Sequence, residues 1–328
     1  MIAALLICTA SCAFTTHAVP AATTDPAITG DRPTQPHQTW APQGGGRHQL
    51  LVHFPGSDGG TSGSNRLAVQ MAAEGFHVIN LGYNPGGLPV RAACLPAVTR
   101  TYPNCAVDFR GERFYGSGGG YENPSISIDR THSVMNRLIK LLGYLKRTYP
   151  GEGWGRFVSK SPSRVYWGFK PRFDRILTSG HSQGAGMALF TARERRVLRV
   201  GMFGGANDYG YEANGSVSVA DWISGPFRTP KRRIFGFSHT LEQGHTGQLA
   251  VWAALGLPGA VTSVDGLGAP FGGSHRLTTS RRPRCAQATC TEGEYHSSTV
   301  IDGVTPRDAP GVLSYSPVWR YMLTPPLR

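Results

Sequence analysis

Short apolar runs alternate along the chain with segments whose apolar residues recur at helical spacing. The apolar runs predict strands at 48–54, 76–81, 175–179, 198–203, 233–237 and 260–264. The segments with helical spacing predict helices at 64–75, 131–149, 183–193 and 317–323. Strands that alternate with helices are typical of a mostly parallel sheet covered by helices on both faces. The pattern therefore predicts an α/β fold, formed by a single domain over residues 47–328.

Turn-forming residues interrupt this pattern at many places. Glycine and proline supply 43 and 24 of the 328 residues, which indicates long ordered loops rather than a helical bundle. One Gly/Pro-rich insertion begins after residue 81 and ends near residue 127. Residues 23–46 are rich in Thr, Pro, Gln and Gly, so they predict a disordered segment, with order beginning near His48.

The N-terminal residues resemble an export signal. The apolar run from Met1 to Phe14 is too short to span a bilayer comfortably, and small residues follow it. This arrangement predicts a signal peptide over residues 1–22, with cleavage near Ala18 or Ala21–Ala22. The sequence around Cys12 weakly resembles a lipoprotein attachment site, and lipidation there is the one route to membrane association that we expect. The protein is therefore expected to be secreted or periplasmic.

Four of the six cysteines lie in the predicted mature chain. Their even number and close spacing are typical of a protein from an oxidising compartment. Pairing between sequence neighbours closes the shortest loops, so we expect the disulfides Cys94–Cys105 and Cys285–Cys290.

The formal net charge of +13 suggests an anionic partner. However, the basic residues form short clusters at 193–199, 231–233 and 281–284, without a long basic run or interleaved aromatic residues. Such clusters are typical of a solvated, arginine-rich surface, and we expect no nucleic-acid binding. Attraction to an anionic polymer or to the cell envelope is the alternative.

One motif indicates catalytic chemistry. Residues Gly180–Gly184 read G-x-S-x-G, with a predicted strand before them and a predicted helix after them. A turn this tight needs small residues on both sides of Ser182, and it lifts the serine hydroxyl to the carboxyl edge of the sheet. The helix N-terminus there favours developing negative charge. A glycine-rich turn with an inert serine is the alternative.

With this motif in this context, residues 48–323 resemble the α/β-hydrolase superfamily, in particular its secreted bacterial esterase- or lipase-like members. The resemblance implies that Ser182 is the nucleophile. The loop His53–Ser57 resembles the oxyanion loop of the family, although it departs from the H-G-G-G form of lipases. The backbone N–H groups near Gly56 and Ser57, together with that of Gln183, would then hold the oxyanion.

The family order of serine, acid and histidine along the chain suggests the remaining catalytic residues. His296 lies between the last predicted strand and the closing helix, where the family places its base. Glu242 follows the strand that ends at Phe237, which resembles the position of the family's acid. The sequence leaves other residues open for these two roles: His275, His245, Asp265 and Asp208.

These residues would cleave carboxylic esters through an acyl-enzyme. We expect a small-molecule or polymeric ester as substrate, a monomer, and no cofactor. A metal site is not expected either, because the sequence has neither H-E-x-x-H nor C-x-x-C. The same residues would also suit a peptidase, a polyester depolymerase or an acyltransferase, and a non-catalytic envelope-binding protein could share the fold.

Overall fold

The computed structural model describes residues 13–29, 36–44, 46–57, 60–83, 88–161, 168–309 and 312–325. Cys12 and the rest of residues 1–12 lie outside the described residues. The strands, numbered in chain order, are β1 Phe14–Pro20, β2 Pro36–Pro42, β3 Leu50–Phe54, β4 His77–Asn80, β5 Val158–Lys160, β6 Phe169–Pro171, β7 Ile176–His181, β8 Val200–Phe203, β9 Tyr209–Tyr211, β10 Val217–Val219, β11 Ile234–His239, β12 Val261–Ser263, β13 Arg276–Thr279, β14 Arg307–Ala309 and β15 Val312–Leu313. The α-helices are α1 Ala21–Thr24, α2 Asn65–Ala73, α3 Val90–Ala93, α4 Pro96–Thr99, α5 Cys105–Tyr115, α6 Val134–Thr148, α7 Gln183–Glu194, α8 His245–Leu255, α9 Glu292–Ser297 and α10 Ser316–Leu323.

A nine-stranded sheet forms the centre of the fold, in the order β1-β2-β4-β3-β7-β8-β11-β13-β12. The strands from β4 to β12 in this order pair in parallel, whereas β2 runs antiparallel to both β1 and β4. With its flanking helices, this mostly parallel sheet confirms the predicted α/β class. In parallel pairs the carboxyl ends of the strands lie at the same edge, so the loops after β3, β7, β8 and β11 meet there.

Helices cover both faces of the sheet. Successive residues of a strand point to opposite faces, and Leu50 and Val52 of β3 belong to one buried apolar cluster while Leu51 belongs to another. The first cluster includes residues of α5, α6, α7 and α8, and the second includes residues of α2 and α10. Because both faces are buried, the strands read as continuous apolar runs, which is the pattern that made them visible in the sequence.

The described residues 13–29 and 36–44 contain regular structure, in contrast to the disorder expected over 23–46 and the start of order expected near His48. Strands β1 and β2 pair over their full lengths and extend the sheet beyond β4. His17 stacks on Tyr149, with ring centroids 3.7 Å apart, and its Nε2 lies 2.8 Å from a carboxylate oxygen of Glu152. The polar residues of β2 hid it from sequence analysis, because a polar side chain can be buried when it finds a partner. The predicted signal peptide stays a prediction, and its expected cleavage sites coincide with β1 and α1.

The insertion between residues 81 and 127 is partly helical rather than all loop, because it contains α3, α4 and α5. Helix α5 buries Arg110, Glu112 and Arg113 among its apolar residues, and these charges obscured its periodicity. Strand β13 was missed as well, since only Leu277 in it is strongly apolar.

Both predicted disulfides are present in the structure. Cys94 is bonded to Cys105, and Cys285 is bonded to Cys290. The first joins the end of α3 to the start of α5, and the second closes a loop just before α9. These bonds are consistent with an extracellular or periplasmic location. Among the described residues, no helix has the length and apolar character needed to cross a membrane.

Candidate active site

Ser182 stands in the turn between β7 and α7. Its backbone has φ 54° and ψ −118°, a region that residues other than glycine rarely occupy. Its amide donates to the carbonyl O of Phe203, at the end of β8, over 2.9 Å. The glycines of the motif are required by crowding: a Cβ on Gly180 would overlap the backbone of Gly184, and a Cβ on Gly184 would overlap the carbonyl of Phe54. The tight turn leaves Ser182 on the wall of a cavity.

A buried ion pair supports the first turn of α7. Arg110, in α5, donates through Nε and Nη2 to the two carboxylate oxygens of Asp208, over 3.0 and 2.7 Å. Both side chains are completely inaccessible to solvent. Nη1 of Arg110 donates to the carbonyl O of Gln183, over 2.9 Å. Asp208, which the sequence left open as the acid, therefore holds Arg110 against the serine turn, and among the described residues its carboxylate has no hydrogen bond to a histidine.

Glu242 and His296 are joined by a hydrogen bond from His296 Nδ1 to Glu242 Oε2. The Glu242 carboxylate is fully buried, and it accepts two further hydrogen bonds. Its Oε1 accepts from the amide of His239 over 3.2 Å, and its Oε2 accepts from Gln248 Nε2 over 2.9 Å. When the ring is neutral and Nδ1 carries its proton, Nε2 of His296 is left as an acceptor.

Local sequence explains how these two side chains are placed. Glu242 follows the buried strand β11 and precedes α8. His296 belongs to α9, which starts with reciprocal hydrogen bonds between Thr291 and Glu294. Such a capping box satisfies backbone donors at a helix start and fixes where the helix begins. His296 is therefore carried on a short helix with a capped start, just after the Cys285–Cys290 loop.

Ser182 and His296 line the same cavity, which has a volume of about 230 Å³. Two glycines after β8 leave room for this arrangement. A Cβ on Gly204 would lie 3.0 Å from Cε1 of His296, and a Cβ on Gly205 would lie 3.0 Å from the carbonyl O of Ser182. Larger residues there would push the histidine or the serine turn away.

His181 links the serine turn to α9. Its Nε2 donates to the carbonyl O of His296 over 3.2 Å, and the two ring centroids are 4.8 Å apart. Burial lowers the pKa of His181 well below its ordinary value, so the ring is neutral and carries a single N–H. The G-x-S-x-G motif allows any residue before the serine, so sequence analysis could not predict that His181 contacts α9.

The predicted oxyanion residues surround Ser182. The amide of Gln183 is the first of α7, and the first amides of a helix have no partner within it. Gly56 packs against the turn, because a Cβ on it would lie 3.4 Å from Cβ of Ser182. Ser57 lines the cavity together with Ser182. The loop after β3 and the start of α7 therefore meet at the serine, and both can offer N–H donors to the cavity.

The remaining candidates for base and acid are engaged elsewhere. His275 bonds through Nδ1 to the first carbonyl of β11 over 2.9 Å. His245 bonds through Nδ1 to a serine hydroxyl of β11 over 2.7 Å. Asp265 accepts from the last hydroxyl of β13 and from the next amide, both over 2.6 Å. Within the described part of the chain, none of these three residues lines the cavity beside Ser182.

Two further side chains support Glu242 and were not singled out from the sequence. Gln248 Nε2 donates both to Glu242 and to Asn207 Oδ1, the latter over 3.1 Å. Asn207 Nδ2 in turn donates to the carbonyl O of Gly204 over 3.2 Å. Gln248 is completely buried in an otherwise apolar stretch of α8, and such an isolated buried amide is a signal that could have been noticed.

Cys285, Cys290 and Glu294 have possible metal-ligand atoms within 4.8 Å of one another. The two cysteines are joined as a disulfide, so neither offers the thiolate that binds a metal. This cluster therefore stabilises the loop before α9.

No protein-family model matches the chain, and no curated protein matches it either. The functional assignment therefore depends on the chemistry of the site.

Proposed function

We propose that the protein is a serine hydrolase of the α/β-hydrolase superfamily that cleaves a carboxylic ester. The observation that carries the proposal is the hydrogen bond from His296 to the buried Glu242 carboxylate, beside a cavity that the positive-φ residue Ser182 also lines. A strand–turn–helix context for the serine, an oriented histidine and a buried carboxylate are the geometric requirements for this class of nucleophile.

The chemistry follows from these positions. Ser182 Oγ attacks the ester carbonyl carbon while Nε2 of His296 takes the hydroxyl proton. Glu242 accepts from Nδ1, holds the ring in the productive tautomer and stabilises its positive charge. The amide of Gln183 and the loop at Gly56 donate to the oxyanion. His296 returns the proton to the leaving alcohol, and water then releases the acyl group by the same route.

The proposed location is outside the cytoplasm. Two disulfides support an oxidising environment, and secretion through an N-terminal signal is the proposed route. The substrate would then be an extracellular or envelope ester.

Substitutions of the three proposed catalytic residues test this function. Ser182→Ala and His296→Ala should each lower kcat for ester hydrolysis by about 10³–10⁶-fold, because each removes a residue that acts as part of a unit. Glu242→Gln should lower kcat by up to about 10⁴-fold, because the amide favours the wrong tautomer of His296. Steady-state rates on a panel of short-chain esters, with circular dichroism to verify folding, measure these effects.

His275→Ala and Asp265→Asn serve as matched controls, because neither residue lines the cavity. Both variants should keep most of the activity. Collapse of activity in His275→Ala with normal activity in His296→Ala would contradict the choice of base. Normal hydrolysis by a folded Ser182→Ala variant would contradict the whole mechanism.

A further inference from the structure

The cavity beside Ser182 has a polar wall. Besides the serine and His296, it is lined by Gln183, Arg91, Asn207 and Glu292. Its volume of about 230 Å³ lies below the roughly 300–1,000 Å³ of pockets that enclose drug-sized ligands. A cavity of this size and polarity suits a small, polar substrate better than a long acyl chain.

Arg91 offers a positive charge in the same wall. Its Nη1 donates to the hydroxyl of Tyr209 over 3.1 Å, and its guanidinium lies 5.5 Å from the centre of that ring. The Tyr209 hydroxyl donates to the carbonyl O of Gly244 over 3.1 Å, so the support of Arg91 is itself fixed. Within the described part of the chain, Arg91 forms no ion pair with a carboxylate. Its remaining donors suit a planar, two-oxygen anion.

We propose that Arg91 binds a carboxylate of the substrate, next to the ester that Ser182 attacks. The substrate class is then a small ester that also carries a free carboxylate. This inference rests on the proposed ester hydrolysis. The net charge of +13 supports this class, because a positive protein attracts an anionic substrate over long range. Glu292 also lines the cavity. Its side chain is exposed to water, which screens its repulsion of a substrate carboxylate.

Two matched pairs of esters test the proposal. Monomethyl glutarate and methyl valerate differ by a carboxylate on the acyl side, and 4-acetoxybenzoate and phenyl acetate differ by one on the alcohol side. Proton release at constant pH gives kcat/KM for each ester. We expect the charged member of at least one pair to be preferred by about tenfold or more.

Arg91→Gln should reduce this preference to within about twofold of unity, and Arg91→Lys should restore part of it. Arg100→Gln is the matched control, because Arg100 comes from the same region of the chain but pairs with Glu212 away from this cavity. It should leave the preference as it is in the wild type. If Arg91→Gln does not fold, the proposal is still tested by the wild-type preference for the charged ester and by its partial retention in Arg91→Lys.

The possible failures are distinguishable. If the wild type hydrolyses the neutral esters without preferring either charged one, or if Arg91→Gln keeps the preference, the carboxylate site is contradicted and ester hydrolysis stands. If none of the four esters is hydrolysed, the proposed function fails and the carboxylate site fails with it.

Discussion

Ser182 occupies a backbone conformation that costs free energy, and its neighbours hold it there. Residues with a side chain are strained at positive φ by about 1–3 kcal/mol. The close packing of Gly184 against the carbonyl of Phe54 leaves no room for the turn to relax toward that loop. Such strain is typical of functional sites, where the surrounding fold fixes the geometry.

Gly184→Ala is therefore expected to lower the free energy of unfolding by about 1–3 kcal/mol, because the added methyl group overlaps the carbonyl of Phe54. The matched control is Gly143→Ala, within α6, where a Cβ would lie 3.4 Å from the mobile end of Arg147. That change should stabilise the protein by about 0.5–1 kcal/mol, since glycine is unfavourable inside a helix. Urea denaturation measures both, and equal effects would contradict the crowding argument.

At the residue scale, the sequence suggested Ser182, His296 and Glu242, but its pattern could not exclude the alternative residues. Glu242 and Asp265 each follow a strand, and only their contacts separate them: Glu242 meets His296, whereas Asp265 bonds to β13. Sequence analysis could not single out Arg110 or Arg91, because their partners are distant in the chain. A role that depends on tertiary contact cannot be predicted from local spacing.

At the element scale, the adjacent strands β2, β3 and β4 each carry a buried histidine. Burial lowers the pKa of His37 and of His53 to about 3 and that of His77 to about 4. Hydrogen bonds suit the neutral rings, since Nδ1 of His37 accepts from the amide of Gly82 over 3.0 Å. All three rings must therefore stay uncharged in the folded sheet.

This arrangement predicts loss of stability in acid. Below the ordinary histidine pKa of about 6.5, the unfolded chain binds protons that the folded chain cannot, so the free energy of unfolding should fall between pH 6.5 and about 4. Each histidine contributes at most ~1.4 kcal/mol per pH unit. Denaturation curves across this range measure the slope, and His37→Gln should make it shallower. A flat profile would contradict the neutral histidines.

Asp302 makes a contribution of opposite sign to the pH dependence of stability. Burial raises its pKa to about 6, so the folded chain holds a proton that the unfolded chain has lost, and stability from this group declines as pH rises from about 4 to 6. Asp302→Asn keeps an acceptor for the amide of Arg66 at the start of α2. The pH profile of this variant should therefore be steeper than that of the wild type, which separates the two contributions.

The elements that were predicted best are the apolar strands of the central sheet: β3, β4, β7, β8 and β11. The N-terminal pair β1 and β2 was missed, because both strands contain polar residues whose partners lie elsewhere in the chain. Helix α5 was missed for the same reason, since its buried charges are compensated by residues such as Asp208. Sequence patterns detect burial of apolar residues but not burial of polar ones.

At the scale of the whole molecule, the fold brings distant segments to one edge of a parallel sheet. The loops after β3, β7, β8 and β11 supply the proposed oxyanion segment, Ser182, the glycine pair and Glu242, and α9 adds His296. The positive charge of the whole chain and the small polar cavity both support the proposed preference for a compact anionic ester. The proposed function depends on Ser182 being a nucleophile that His296 activates.

Reaction with a fluorophosphonate, followed by peptide mass spectrometry, tests that claim most directly. A fluorophosphonate reacts with a serine that an adjacent base activates, and it does not require the natural substrate. We expect one adduct per folded chain, located on Ser182. Labelling should be slowed by orders of magnitude in His296→Ala and unchanged in His275→Ala. A folded wild-type protein whose Ser182 stays unlabelled, or whose label lies on another residue, would contradict the proposed role of Ser182 as the nucleophile.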